Sequence, residues 1–237
     1  YYANKLERID ADSQVLTLQN GSQISFEFFI NCAGAYADQI ANHFGVGREF
    51  TLLPFKGLYR SLSQEVSSQL RALIYPTPDP EFPFLGVHTN MTFSDTSYVG
   101  PGALPALGRE NYHFFKDIKW NESISSMINL SKVLITNSQI RKHSFEELHK
   151  LQKSYFNKKI QKLLRLPIDR HIGGYCKVGI RPQLYSKREN KLVNDFKIVK
   201  GGNSLHVLNA ISPAFTCSFE FAKYCVDSIY SGESTLN

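Results

Sequence analysis

Four stretches of the chain hold residue types that can do chemistry. His88, in Gly86-Val87-His88, carries the side chain that titrates nearest neutrality, which suits it to accept a proton from a substrate hydroxyl. Arg181, in Gly179-Ile180-Arg181-Pro182-Gln183, sits on an expected strand just before a proline, and a guanidinium fixed there offers a two-pronged grip on a carboxylate. Asn31-Cys32-Ala33-Gly34 follows an apolar strand, and its small residues let a backbone or a ligand come close. The run Asn209-Ala210-Ile211-Ser212-Pro213-Ala214-Phe215-Thr216 leads into the last helix, with Ser212 or Pro213 near the helix start, where unpaired N–H groups favour negative charge. Each stretch also has an ordinary structural reading: a strand histidine, a surface arginine, tight helix-on-strand packing, a helix N-cap. No His or Cys spacing suggests a metal site. Cys32, Cys176, Cys217 and Cys225 form no CxxC pair. Cys217 and Cys225 are about 12 Å apart along an expected helix, too far for a disulfide, so free buried thiols in a reducing compartment are expected.

The elements that must hold these residues can be read from pattern. Residues 5–31 read as strands, with Asn20-Gly21 as a two-residue hairpin turn and Ile24, Phe26 and Phe28 alternating with polar neighbours. Ala35 to Phe44 reads as a helix stopped by Gly45, giving a strand, glycine turn and helix of the kind whose first N–H groups face an anion. Residues 52–63 read as a strand. Four prolines between Pro76 and Pro83 then force an extended surface loop. Short strands follow at Phe84–His88 and at Tyr98–Gly102. Residues 121–166 read as helical, with a capping box at Ser144–Glu147, an apolar stripe through Leu148, Leu151, Tyr155, Ile160 and Leu163, and a stop at Pro167. Strands return at 176–184, 196–199 and 205–208. The last helix, Phe215 to Tyr230, is expected to bury Phe215, Phe219, Ala222, Val226 and Ile229 and to stop at Ser231-Gly232.

Composition narrows the class. The 237 residues are 42% hydrophobic, with 17 Phe, 12 Tyr and one Trp, enough for a real core, and 20% charged, too few for solvated disorder. No apolar run approaches the roughly 18 residues of a membrane span. The first residues have neither a basic region nor an apolar one, so no signal peptide is expected, and the chain reads as though it starts within a longer protein. The net charge is +6. Its source is local: residues 132–170 hold ten bases against three acids, a net of +7. That segment is either a solvated helix face or a surface for an anionic partner. No zinc-finger or RNP-type spacing supports nucleic acid, so a membrane surface is the better functional reading.

Seven ordered blocks, FINCAGAYAD, LLPFKGLYR, LIYPTPDPEFPFLGVH, YVGPGA, KVGIRPQLY, LVNDF and HVLNAISPAFT, resemble the FAD-dependent oxidoreductases of the D-amino-acid-oxidase-like superfamily. Within it they are most similar to the L-2-hydroxyglutarate oxidase/dehydrogenase group. The resemblance spans nearly the whole chain and is weakest across 104–170. It implies FAD as cofactor. It sets Asn31, Cys32, Ala33, Gly34, Gly57, Asn209, Ser212, Pro213 and Thr216 on the cofactor side. Tyr59, Arg60 and Arg181 fall on the substrate side, with Arg181 on the carboxylate, and His88 becomes the base. Three positions depart from the group's pattern: Thr89-Asn90-Met91 stands where an Arg usually follows the histidine, Gly102 replaces an Asn, and Ile211 replaces a Pro.

The fold implied is mixed α+β and α/β. Residues 1–49 and 200–237 would be parts of an incomplete FAD/NAD(P)-binding Rossmann-like domain. Residues 50–199 would form an antiparallel-sheet substrate domain carrying the basic helical segment 121–166. No GxGxxG occurs in the 237 residues, so the resemblance implies a nucleotide-cradling segment outside them. The implied function is oxidation of a small 2-hydroxy acid such as L-2-hydroxyglutarate by hydride transfer to flavin. The alternative is a non-catalytic C-terminal fragment, or a split-gene half that needs a separate N-terminal FAD-binding chain. The expected location is the cytoplasm, with peripheral contact at the inner membrane, or with a quinone, as the further expectation from the basic segment.

Overall fold

The computed structural model describes residues 4–77, 86–94, 96–113, 120–166 and 168–231. In chain order the elements are β1 (Leu6–Asp10), β2 (Val15–Leu18), β3 (Gln23–Ser25), β4 (Phe29–Asn31), α1 (Ala37–His43), β5 (Phe50–Leu62), α2 (Gln64–Gln69), β6 (His88–Met91), β7 (Ser97–Gly100), β8 (Leu104–Pro105), α3 (Trp120–Thr136), α4 (Ser138–His149), α5 (Lys153–Leu164), β9 (Ile172–Ser186), β10 (Lys191–Leu192), β11 (Lys197–Gly201), β12 (Ser204–Asn209) and α6 (Ser218–Ser231). They divide into one unit of residues 1–52 and 184–237 and a second of residues 53–183. The division assigns 184–199 to the first unit, where β10 pairs with the end of β9 and Asn209 holds the backbone carbonyls of Val193 and Asp195.

The first unit is built on a three-stranded sheet ordered β11-β12-β4, in which β12 and β4 run parallel. Every residue of β12 is buried, and its side chains alternate between two cores. Leu208 points into one with Ala37, Ala41, Phe50, Leu52 and Leu184. Leu205 and Val207 point into the other with Ile198 and Cys225. A strand wholly buried on both faces is the signature of a layered α/β unit, here with α1 supplying one cover and α6 the other. A separate antiparallel meander, β1-β2-β3, precedes it. Its β2–β3 hairpin forms around Asn20-Gly21 but not as a two-residue turn: Gly21 N–H donates to Leu18 C=O, Leu18 N–H donates to Ser22 C=O, and Gly21 takes φ +80°. This is the longer hairpin loop with glycine in its left-handed position.

The second unit is an antiparallel sheet ordered β9-β5-β7-β6, with β8 paired to β5. One face packs on helices through Leu62, Val66, Leu70, Val99, Phe156, Ile160, Ile168 and Ile172. Gly100, at the end of β7, has φ +147°, and a Cβ there would lie 2.6 Å from the Leu58 carbonyl oxygen. Only glycine lets these two strands approach so closely.

Several expectations are corrected. The helix after Gly34 begins as a 3-10 turn at Gly34–Tyr36, and α1 proper starts at Ala37. The capping box at Ser144 does not form: Ser144 lies inside α4, whose cap is Asn137, accepting from Ile140 N–H at 2.9 Å. The helical stretch is three helices, so the stripe from Leu148 to Leu163 is cut by the turn after α4; Leu148 and Leu151 are exposed while Ile160 is fully buried. α6 starts at Ser218, after Phe215, and of the stripe expected to be buried only Ile229 packs inward; Phe215, Phe219, Ala222 and Val226 are exposed. Its inner face is instead Phe221, Cys225, Ser228 and Ile229. Pro78–Leu85, Pro167 and Gly232 lie outside the described residues.

Candidate active site

In the second unit, β6 brings His88 to a defined environment. Ile74 N–H donates to Thr89 Oγ1 and Thr89 N–H donates to Ile74 C=O, which ties the chain before the proline loop to β6. That tie stacks the Tyr75 ring on the imidazole, with centroids 4.5 Å apart and planes 28° apart. His88 Nδ1 is 2.9 Å from the Gly86 carbonyl oxygen. A carbonyl only accepts, so Nδ1 carries the proton and Nε2 is the ring's acceptor. Burial lowers the His88 pKa below its ordinary value; the Gly86 carbonyl opposes this, and the positive charge of Arg181 adds to it. The ring is therefore neutral near pH 7 with a basic nitrogen available. Arg181 is on β9, which β5 and β7 separate from β6 in the sheet order, and its charge is the last of these three effects on His88. A buried proton acceptor and a cation within one unit could serve a hydroxyl and a carboxylate respectively.

Arg60, on β5, is buried. Its Nη2 donates to the Tyr175 hydroxyl at 3.0 Å, and its guanidinium carbon lies 4.1 Å from the Tyr175 ring centroid and 5.5 Å from that of Phe156. Its Nε is buried with no hydrogen-bond partner. Tyr59 packs edge-on against Tyr98, at 5.2 Å. Gly57 lies under Pro101, whose Cβ would be 2.8 Å from an added Cβ, so packing accounts for the glycine.

In the first unit, β4 and β12 run parallel and end at Asn31 and Asn209. Asn31 is buried. Its Oδ1 accepts from Ala33 N–H at 3.1 Å, and its Nδ2 donates to the Ala37 carbonyl at 2.8 Å and to His206 Nδ1 at 3.0 Å. One side chain thereby fixes the whole turn from Cys32 to Ala37. Cys32, Ala33 and Gly34 on that turn are exposed, and Gly34 takes φ +53° with open space where a Cβ would be. Burial of its surroundings raises the Cys32 thiol pKa. Beyond β12, Ser212, Pro213 and Thr216 are exposed. They do not cap α6, as expected from the sequence; they form a separate turn in which the Pro213 carbonyl accepts from Cys217 N–H and Thr216 Oγ1, both at 3.0 Å.

The structure thus holds His88 and Arg181 in one unit, on β6 and β9 with β5 and β7 between them in the sheet order, and Asn31–Gly34 with Asn209–Thr216 at the carboxyl ends of one parallel pair in the other. Sequence reasoning missed Tyr75, Tyr175 and Lys56. The Lys56 ammonium is buried, donating to Asn111 Oδ1 at 2.9 Å and to the His113 carbonyl at 3.0 Å, and burial lowers its pKa. A lysine inside an otherwise apolar central strand was the available signal. Tyr75 had none beyond its place before Pro76. Among the described residues no group of three His, Cys, Asp or Glu could hold a metal ion, and no helix is long and apolar enough to cross a membrane.

One unit of the chain is an α/β layer and the other an antiparallel sheet with flanking helices. The family model for FAD dependent oxidoreductase (DAO) matches residues 1–228, and the chain belongs to that family. It is similar to L-2-hydroxyglutarate dehydrogenase of Salmonella houtenae, 30% identical over 215 residues that cover 91% of this chain and 50% of the relative. It is likewise similar to the mitochondrial L-2-hydroxyglutarate dehydrogenase of Homo sapiens, 31% identical over 238 residues, covering 93% and 49%. The chain spans about half the length of the curated relatives it matches. Among solved structures it resembles glycine oxidase from Bacillus cereus ATCC 14579, with TM-score 0.56 and 11% identity over 99% of this chain and 52% of that one. It also resembles the FAD-bound L-alpha-glycerophosphate oxidase of Mycoplasma pneumoniae, with TM-score 0.54 and 18% identity over 94% and 49%. These two likenesses bear on the fold.

Proposed function

We propose that this chain is the substrate-binding and C-terminal portion of an FAD-dependent dehydrogenase or oxidase of small 2-hydroxy acids, with L-2-hydroxyglutarate as the leading substrate. The single observation that carries the reading is the buried His88, its ring stacked on Tyr75 and its Nδ1 proton on the Gly86 carbonyl, in the unit that also holds Arg181. Arg181 takes the substrate carboxylate. Nε2 of His88 accepts the hydroxyl proton, while the Tyr75 ring holds the imidazole plane. Bound FAD supplies the acceptor for the hydride from the substrate carbon. Asn31, Cys32, Ala33, Gly34, Asn209, Ser212, Pro213 and Thr216 fit such a group in kind, because they lie beyond the carboxyl ends of a parallel strand pair, where open α/β sheets take ligands. Gly57, on β5, belongs to the same cofactor side, while Tyr59 and Arg60 of that strand belong with Arg181 to the substrate side.

A second reading has its own support. β4 is an edge strand of a parallel pair, with Ile30 exposed, and α6 turns Phe219, Val226 and Tyr230 to solvent although its other face is already packed. A helix apolar on both faces belongs inside a protein. On this reading the chain works with a separate N-terminal FAD-binding segment and holds no flavin without it. The basic helical segment supports a peripheral membrane contact in either case.

The test is titration of the purified chain with FAD, followed by a dye-coupled assay with L-2-hydroxyglutarate and with shorter 2-hydroxy acids. Flavin retained on the chain and turnover with a 2-hydroxy acid support the first reading. No retention by the chain alone, restored on adding a GxGxxG-bearing segment from a relative, supports the second. Retention with turnover that is indifferent to Arg181→Ala removes the proposed substrate grip.

A further inference from the structure

We propose that Lys177, seated on the Tyr98 ring, holds the far carboxylate of a dicarboxylic 2-hydroxy acid and so sets the substrate class; the inference rests on the proposed function and narrows it. The sheet of the second unit has two unlike faces. Val99 of β7 is fully buried in one core cluster with Phe156 and Ile160 of α5. Side chains alternate along a strand, so Tyr98 turns to the opposite face. β6 pairs with β7 in register, His88 with Gly100 and Asn90 with Tyr98, and directly paired residues share a face. His88 and Tyr98 are therefore diagonal neighbours on the face away from that core. Tyr59 of β5 meets the Tyr98 ring edge-on, centroids 5.2 Å apart. Lys177 comes from β9, beyond β5 in the sheet order, and reaches the same ring. Its Nζ lies 4.4 Å from the Tyr98 centroid and donates to the Tyr98 hydroxyl at 3.4 Å. The lysine thus stretches across the intervening strand to the face that holds His88.

An ammonium resting on an aromatic face keeps its charge and most of its donors. The Tyr98 hydroxyl takes one of the three N–H donors of Lys177, and among the described residues no carboxylate pairs with it. Lys177 is exposed, so the other donors are open to an incoming group. The Tyr98 hydroxyl accepts from Lys177 and keeps its own proton to donate. A cationic donor beside a neutral one suits a carboxylate. In the proposed function the carboxylate next to the hydroxyl goes to Arg181 and the hydroxyl to His88, and a monocarboxylic acid is then fully read. A dicarboxylic acid carries a second charge at the end of a short methylene chain, and the Lys177–Tyr98 pair stands on the His88 face to receive it. The other cations of β5 are placed elsewhere: the Arg60 guanidinium lies over the Tyr175 and Phe156 rings, and the Lys56 ammonium is buried on Asn111 and the His113 carbonyl.

The experiment titrates the purified chain with L-2-hydroxyglutarate and, separately, with L-2-hydroxypentanoate, which has the same chain length and a methyl group in place of the far carboxylate. Binding is followed through the His88 imidazole proton signals by NMR, assigned by their loss in His88→Gln, a readout that needs neither flavin nor turnover. The expected result is that the dicarboxylate binds about tenfold or more tightly than the monocarboxylate. Lys177→Gln is expected to bring the two acids within about twofold of each other by weakening the dicarboxylate, and Lys177→Arg to keep most of the preference. Tyr98→Phe, which keeps the ring and removes the hydroxyl, should reduce the preference in part. Lys177 is exposed, and far-ultraviolet circular dichroism checks that the variants keep their fold. Equal binding of the two acids by the unaltered chain overturns the inference. So does a preference that survives Lys177→Gln, or a Lys177→Gln that weakens both acids alike. In each of these cases the reading behind it stands where Arg181→Gln weakens both acids. No response of His88 to either acid removes that reading, and the inference with it.

Discussion

Asn31 donates to Nδ1 of His206 across the parallel β4–β12 pair, at 3.0 Å, and that bond settles the histidine's state. With Nδ1 accepting, the ring proton is on Nε2, which lies 2.9 Å from Ser204 Oγ; the Ser204 hydroxyl in turn donates to the Gly201 carbonyl. The imidazole is fully buried, with the Phe44 ring 4.9 Å away, centroid to centroid. Neutral His206 is thus built into the same network that shapes the Cys32–Ala37 turn, and the turn's geometry depends on the histidine staying neutral.

Burial lowers the His206 pKa from 6.5 to about 4. A histidine whose folded pKa lies below its unfolded one is a proton taker on unfolding. Between those two values the unfolded chain binds more protons, so stability rises with pH. The contribution is complete above pH 6.5 and is lost as pH falls toward 4. Its full size is at most about 3 kcal/mol. Urea denaturation across that range should show this limb, and His206→Gln should flatten it. A limb of equal size in the variant would assign the acid sensitivity to other groups.

Gly100→Ala should destabilise the second unit by about 3 kcal/mol or more. The φ of +147° is hostile to a side chain, and the new Cβ would meet the Leu58 carbonyl at 2.6 Å and Tyr59 Cα at 3.0 Å, both backbone atoms that cannot swing aside. Gly174→Ala is the control: its Cβ would meet nothing within 4 Å, and the change should be within about 0.5 kcal/mol. The comparison is read from denaturant midpoints at constant slope.

Glu147 is a buried carboxylate that holds α4 to the turn before β8. Oε2 accepts from Ala103 N–H at 2.7 Å, while Oε1 pairs with Lys150 and lies 3.5 Å from His143 Nε2. Glu147→Gln keeps an acceptor for Ala103 but leaves the lysine without its counter-charge. Glu147→Ala removes both and should cost about 3 kcal/mol, clearly more than the glutamine variant. Equal losses in the two would mean the ion pair, and not the bond to Ala103, carries the effect.

The strands, the Asn-Gly hairpin region and the helical middle were legible because each depends on local spacing. What was not legible depends on contacts far along the chain. Periodicity identifies α6 as a helix, but it carries apolar residues on two faces, and only packing of Phe221 and Cys225 against Ile198, Leu205 and Val207 decides which face turns inward. Ser144–Glu147 satisfies a capping pattern, yet Asn137 takes the cap and frees Glu147 to reach Ala103, 44 residues away. The sequence could nominate His88 and Arg181 separately. That they share one electrostatic environment is a product of the sheet, since they lie on β6 and β9.

That shared environment makes the last prediction the most direct test of the candidate site. His88 should titrate below 6.5, chiefly because it is buried, with Arg181 adding to the depression and the Gly86 carbonyl opposing it. Replacing Arg181 by Gln removes a positive charge that disfavours the imidazolium, so the His88 pKa should rise while remaining below the ordinary value, burial being the larger cause. The measurement is an NMR titration of the imidazole carbon protons in the purified chain, which needs neither cofactor nor turnover. In an active preparation the same logic predicts that kcat/KM falls as pH drops through the lowered His88 pKa, because protonation removes the base. Arg181→Gln should then move that acid limb to higher pH and raise KM together. A His88 titration that does not respond to Arg181→Gln would show that the two side chains do not share a site, and the assignment of base and carboxylate grip would fail with it.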